Sequence, residues 1–418
     1  MVAPRSVSPA LAFITIGALY ITQGLPMGLA FMALPAMLRS LGYSTEAIGM
    51  VGVVILPWAL KFLWAPLVDR AEGGRLGRRQ SWIVPAQVVV VLLYALIALS
   101  AAANASILIV IGLLLVANMV SATQDIATDG WAVELMRGPE LAWANGLQVG
   151  GFALGMLIGG AATLAVFEEG GWLSAFGLLG LLTAASIVPV LMIPREAGQR
   201  VAAGPSARPD LLRTIRRPGA VLMLSVAALF HFAESIAGSM LGPFLIDSGL
   251  SLREVGIVTG AGVACTAVLG AGVGGPLSHR FGAVRTAIVS GTLTALSLLL
   301  WSLMAVWGSV SLNGAISVML VGGITGGVAY VAFFTIFMQW ASPEQAGTDF
   351  TVLQCTESCT NIVAAIVAGQ LAALIGFPGL FAAASLVGIV AIAWIAFALM
   401  RQAHTSAASP AQIPQENA

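Results

Sequence analysis

Apolar residues run through this chain in blocks of about 20, broken by short clusters of charged residues, glycine and proline. A block of that length is what an α-helix needs to cross the ~30 Å hydrocarbon core of a bilayer. The breaks mark out twelve expected spans, at 10–37, 48–67, 82–102, 106–133, 142–166, 172–193, 219–245, 254–277, 283–306, 313–340, 348–375 and 379–400. Only one connection is both long and polar: the Arg-, Ala-, Gly- and Pro-rich segment from Pro194 to Pro218, at the midpoint of the chain. Its composition is that of a linker. The pattern predicts an all-α membrane protein of two six-helix halves, 1–193 and 219–400, with a cytoplasmic linker at 194–218 and a cytoplasmic tail at 401–418. Met1 to Ser8 precede an apolar run too long for an h-region and lacking a cleavage site, so no cleaved leader is expected.

Composition agrees and charge placement adds direction. The chain is 59% hydrophobic and 9% charged, with a mean hydropathy of +0.97, whereas soluble domains carry about 25% charged residues. Loops after even-numbered spans, together with both tails, hold Arg5, Arg70, Arg75, Arg78, Arg79, Arg195, Arg200, Arg208, Arg213, Arg216, Arg217, Arg280, Arg285 and Arg401, and Arg137 joins them. The other side has only Arg39 and Arg253. The positive-inside rule therefore places both termini in the cytoplasm.

The two halves repeat one another. Pro66-Leu67-Val68-Asp69-Arg70 recurs as Pro276-Leu277-Ser278-His279-Arg280, and Pro139-Glu140-Leu141-Ala142 as Pro343-Glu344-Gln345-Ala346. Leu147-Gln148 recurs as Leu353-Gln354, and Gly42-Tyr43-Ser44 as Gly249-Leu250-Ser251. All four pairs keep their order at offsets between 204 and 210 residues. Parallel repeats of six helices, related by an axis normal to the membrane, are one of the standard plans of secondary transporters.

Polar residues inside the spans are the candidate chemistry. Asp125 and Asp129 lie four apart on one face of span 4, beside Gln124. A carboxylate at membrane depth costs several kcal/mol, so the pair reads either as a functional site or as a helix end already in water. Lys61 is the chain's one lysine and lies within span 2. It either snorkels to the interface, pairs with Asp125 or Asp129, or stays neutral by burial. In span 7, His231 and Glu234 share a face, which suits a proton relay or a hydrogen-bonded helix contact. Span 11 contributes Gln354, Glu357 and Asn361, again on one face.

Other classes of function fit poorly. The three histidines, His231, His279 and His404, lie far apart in sequence, so no metal-ligand set is expected. The three cysteines, Cys265, Cys355 and Cys359, all sit in apolar runs and suggest neither a disulfide framework nor a zinc site. No serine–histidine or cysteine–histidine nucleophile stands out, and the glycine run of span 10 lacks a P-loop lysine. The scattered single charges are unlike a repeated pore motif. The chain is therefore read as a carrier and not an enzyme, with no cofactor.

Several stretches carry a more specific resemblance. Pro66-Leu67-Val68-Asp69-Arg70, followed after an insertion by Gly77-Arg78-Arg79, resembles the loop signature of the major facilitator superfamily. Ala65 stands where the signature begins with Gly, and Gly275 to Gly282 keeps its spacing with His279 in the Asp position. Leu19 to Pro26, Leu56 to Pro66, Thr123 to Glu134 and Ala346 to Thr351 resemble the muropeptide-permease and acetyl-CoA-transporter branch. Gln148 to Phe152 and Ala127-Thr128-Asp129-Gly130 are similar to that branch's bacterial siderophore importers of the rhizobactin and pyochelin type.

The resemblance implies a monomeric bacterial inner-membrane secondary transporter using proton-coupled alternating access, with protons and the lipid bilayer as partners and no nucleic acid. It implies import of a small polar organic solute, such as a ferric siderophore, or alternatively of a muropeptide or acyl-CoA-type compound, or export. Spans 1, 4, 7 and 10 would line the solute path, with Gln23, Gln124, Asp125, Asp129, His231, Glu234, Tyr330 and Phe334 as its wall. Lys61, Gln354 and Glu357 join the solute and proton path, while Asp69, Arg70, Arg78, Arg79 and Arg280 are the gating candidates. Asp129 is favoured as the coupling acid.

Overall fold

A computed structural model describes residues 8–42, 50–70, 76–136, 140–194, 209–308 and 310–408. Arg5, Tyr43, Ser44, Arg75, Arg137, Pro139, Arg195, Arg200 and Arg208 lie outside these, as do most of the linker and the end of the tail. Nine helical runs among the described residues are long and apolar enough to span a bilayer. Two of them, Glu140–Met192 and Ala346–Arg401, hold two spans each. Gly171 and Gly376 turn the chain there with φ of 65° and 67°, a region glycine enters without steric cost. With the shorter apolar run Val53–Leu63 as span 2, the expected twelve spans are present.

Local sequence explains two of the helix starts. Span 4, Ile107–Leu135, opens at Ser106, whose hydroxyl accepts from the amide of Leu108. Span 10, Leu312–Trp340, opens at Ser311 in the same way, accepting from Gly314. Spans 1 and 5 press together through glycine: a Cβ on Gly155 would run into the carbonyl oxygen of Ile21, and one on Gly159 into that of Leu25. Small residues at such a seam let two helices approach backbone to backbone.

Two spans differ from the expected unbroken helices. Span 2 alternates between a 3₁₀ turn at Met50–Ile55, an α-helix at Leu56–Leu60, a second 3₁₀ turn at Lys61–Leu63 and an α-helix at Ala65–Arg70. Pro57 and Pro66 each remove a backbone donor, so a regular ladder is not available. Span 7 is split into Ala220–Leu229 and Phe232–Asp247. The break falls at His231, with φ −114° and ψ 0°, and no proline or glycine marks it.

The packing divides the molecule along the membrane normal. At the linker end, one apolar core joins both halves: Ile16, Tyr20 and Ala132 from the first pack with Phe333, Phe337, Phe350 and Leu353 from the second. At the opposite end there are two separate cores. One belongs to the first half, around Leu34, Tyr94 and Phe176. The other belongs to the second, around Phe244, Trp301 and Phe381. The halves are sealed to each other on the linker side and keep their own cores on the other.

Candidate functional site

The linker-side seal is built on Asp69, at the end of span 2. Its Oδ1 accepts from Arg79 at 2.7 Å. Its Oδ2 accepts from both the backbone N–H and the hydroxyl of Thr348, at 2.6 and 2.7 Å, where span 11 of the other half begins. Glu134, at the end of span 4, accepts from Arg78 at 2.5 Å and from Arg79 at 2.6 and 3.0 Å. Arg78 also donates to the Asp69 carbonyl at 2.7 Å. Burial opposes the charge on Arg79, yet Glu134 and then Asp69 raise its pKa above the ordinary arginine value. A Cβ on Gly130 would overlap the Arg79 guanidinium, so the glycine in the Asp129-Gly130 pair makes room for this network.

Deeper in the first half lies a second cluster. Lys61 is 5% exposed and forms an ion pair with Asp125 of span 4. It also donates to the side-chain oxygen of Gln354 at 2.6 Å, crossing to span 11 of the second half. Its burial argues against snorkelling, and its contacts match the pairing alternative. Asp129 is fully buried, makes no ion pair among the described residues, and accepts from Tyr20 at 3.0 Å and Gln148 at 3.2 Å on one oxygen. Among the described residues its other oxygen has no hydrogen-bond partner, nor does the side-chain nitrogen of Gln23 one turn from Tyr20.

The second half has its own titratable cluster, closer to solvent. His231 lies 3.5 Å from Glu234 and 3.4 Å from Glu357, and its Nδ1 is 3.2 Å from the Ser235 hydroxyl. Ser235 donates to Asn361 at 2.6 Å, and Asn361 donates to Glu357 at 2.5 Å. Tyr330 stands edge-on to the His231 ring with centroids 5.4 Å apart, and Phe334 packs on Tyr330 at 4.4 Å. The Glu234 side chain is 33% exposed. Gly326 leaves the space it occupies: an added Cβ there would stand 2.5 Å from its carboxylate.

These placements sort the candidates named from sequence. Lys61, Asp125 and Gln354 form one unit, and His231, Glu234, Glu357 and Tyr330 form another. Gln23, Gln124, Asp125, Asp129 and Phe334 are buried, so in this conformation they are not the open wall of a solute path. Asp69, Arg78 and Arg79 meet, whereas Arg70 donates to the Pro209 carbonyl at 2.8 Å and Arg280 lies over Phe281. Sequence reading placed Ser235 on the His231 face of span 7 but did not name Glu134, Tyr20 or Thr348 as site residues. Glu134 closes the same polar stretch as Asp125 and Asp129, a signal that was there to use. Nothing in an apolar run marks Tyr20 as the partner of an acid in span 4.

A family model described as "Acetyl-coenzyme A transporter 1" matches residues 12–169, and one described as "Major Facilitator Superfamily" matches residues 223–417. Each half is thus matched by a transporter family model, and the chain has the multi-pass helical architecture of a major facilitator carrier. Its similarities run to the muropeptide-permease and acetyl-CoA-transporter branch. The anhydromuropeptide permease of Escherichia coli is 26% identical over 356 residues, covering 83% of this chain and 71% of that protein. "Putative transporter AmpG 3" of Rickettsia prowazekii is 23% identical over 364 residues, covering 83% and 86%. Among solved structures, the human organic anion transporter MFSD10 superposes with a TM-score of 0.69 at 17% identity, covering 93% of this chain and 100% of that one. The transporter FucP in the outward conformation gives 0.72 at 13%, covering 92% and 98%.

Proposed function

We propose that the protein imports a muropeptide-type solute across the inner membrane, with a proton carried on Asp129 and the linker side facing the cytoplasm. The observation that carries the coupling assignment is the contrast between two neighbouring acids. The charge of Asp125 is matched by Lys61. Asp129 is as deeply buried, has only neutral donors on one oxygen, and has none on the other. An ionised carboxylate is stable inside a protein only when paired or fully hydrogen-bonded, and a proton on the bare oxygen removes the unmatched charge. Release follows when rocking of the halves separates the helices around it, which ties proton loading to the facing state.

The solute assignment rests on relatives: the permease of E. coli is named for anhydromuropeptides and aligns over most of both chains. The short runs that resemble siderophore importers have another task here. Gln148 holds Asp129, and Gly130 accommodates Arg79. Neither task depends on the solute.

The test is transport in proteoliposomes with labelled anhydromuropeptide and, in parallel, labelled pyochelin. Asp129→Asn is expected to abolish uphill uptake while retaining solute exchange. Asp125→Asn, which breaks an ion pair, is expected to impair both. Gradient-driven uptake unchanged in Asp129→Asn would refute the coupling assignment, and uptake of pyochelin without muropeptide would refute the solute.

A further inference from the structure

A cavity of about 450 Å³ opens on the linker side, and none of the Lys61 or His231 cluster residues line it. Arg213, Arg216 and Arg217 line it, with Ser342, Glu344 and Asp349 on the facing wall. Three guanidinium groups against two carboxylates leave one positive charge in excess. Asp349 keeps its charge and is held by Thr214 at 2.7 Å, Gln345 at 2.6 Å, and the N–H and hydroxyl of Ser342 at 2.9 Å. Arg217 reaches it only at 3.3 Å and is stacked 4.5 Å above the Trp340 ring.

The helix that supplies two of these arginines, Leu211–Arg216, ends just before span 7 begins at Ala220. Leu212 and Ile215 are 51% and 49% exposed, and they share a face with exposed Arg216. Val221, at the start of span 7, is 75% exposed. A short helix presenting leucine, isoleucine and arginine outward at the end of a span has the side chains of an interfacial segment. The surface therefore offers a cationic cavity and, beside it, an uncovered apolar wall.

We propose that this cavity binds the phosphate of an anionic lipid of the linker-side leaflet, with the lipid's acyl chains along Leu212, Ile215 and Val221. Guanidinium groups bind phosphate oxygens through paired N–H donors. One excess positive charge matches the single negative charge of a phosphatidylglycerol headgroup and not the zwitterion of phosphatidylcholine. The apolar wall distinguishes a lipid from a free anion, which has no use for it.

The full-length protein, released from detergent into a native mass spectrometer, is loaded with equimolar dioleoylphosphatidylglycerol and dioleoylphosphatidylcholine. Retained phosphatidylglycerol adducts are expected to exceed phosphatidylcholine adducts at least fivefold. Arg213→Ala/Arg216→Ala is expected to bring the ratio close to one, Arg213→Lys/Arg216→Lys to restore most of it, and Arg285→Ala/Arg401→Ala to leave it unchanged. Millimolar inorganic phosphate is expected not to displace the lipid. The proposal is overturned if the double alanine variant keeps the full preference, if the Arg285/Arg401 control loses it equally, or if phosphate displaces the lipid completely.

Discussion

The two halves share a helical plan and differ in where they keep their charges. In the first, Asp69, Arg79, Lys61, Asp125 and Asp129 are almost entirely buried, and the first four are bound in ion pairs. In the second, the repeat of the Asp69 loop carries Ser278 and His279 instead, and the buried acid of the linker side is Asp349, at the start of span 11. Its donors are mainly neutral. The titratable cluster around His231 is one-quarter to one-third exposed, apart from Glu357. The scaffold is thus shared while the side-chain chemistry is unequal: buried, paired charge in one half, partly exposed titratable groups in the other. Span 11 is the bridge. Gln354 reaches Lys61 of the first half, and one turn later Glu357 reaches His231 of its own.

The largest test of this inequality is Lys61→Met. It leaves Asp125 buried without its cation, and breaking a buried pair by removing one partner costs about 3–5 kcal/mol. The double variant Lys61→Met/Asp125→Asn is expected to recover more than half of that loss, measured by unfolding in lipid nanodiscs. The matching change in the second half, Glu234→Gln, removes a carboxylate that is one-third exposed and is expected to cost about 1 kcal/mol or less. Equal losses from the two halves would contradict the contrast drawn here.

A smaller effect is expected where the halves meet. Gln354→Leu removes a cross-half hydrogen bond to a charged group, an interaction of about 1.5–3 kcal/mol, while leaving the Lys61–Asp125 pair in place. A loss of ~1.4 kcal/mol from the closed linker side is a tenfold change in its population, by the conversion at 25 °C. With Cys265, Cys355 and Cys359 replaced by serine, a cysteine at Ala346, buried in the seal, reports that population through its reaction with a polar maleimide. Roughly tenfold faster labelling is expected. Ser235→Ala, which breaks a bond to Asn361 inside the second half, is expected to change labelling less than twofold. Comparable rates in the two variants would show that span 11 does not latch the halves through Lys61.

How far these contacts were legible depends on what sets them. Span number and the two-half layout follow from blocks of about 20 apolar residues, a constraint written locally in the chain. Lys61, Asp125, Gln354, His231 and Glu357 stood out because a polar residue in an apolar run is conspicuous wherever it packs. Their pairing was not legible. Which of Asp125 and Asp129 meets Lys61 is decided by the pitch of span 2 on either side of its 3₁₀ turn, and a uniform helix gives no hint of it. The split of span 7 at His231 is likewise unmarked by proline or glycine. Thr348 meets Asp69 only through the closure of one half on the other, so it belongs to a conformation as much as to a sequence.

The smallest expected effect sharpens the comparison most directly, because it sets the arginine that meets the second half's buried acid against the one that meets the first half's. Arg217 and Arg79 both pair with an aspartate on the linker side, at 3.3 and 2.7 Å. Arg217 is 36% exposed in its side chain, and Asp349 keeps four neutral hydrogen bonds without it. An exposed pair contributes about 0–1 kcal/mol, and stacking on Trp340 adds roughly 0.5–1 kcal/mol at such a site. Arg79 is 1% exposed and serves two acids at once. Removing it strands Asp69 and Glu134 with fewer donors than they need, although Arg78 still reaches both. In phosphatidylcholine nanodiscs, Arg217→Ala is expected to destabilise the protein by about 1 kcal/mol, and Arg79→Ala by several times as much. A loss from Arg217→Ala as large as that from Arg79→Ala would place a second buried-charge seal in the second half and remove the asymmetry on which the assignment of roles depends.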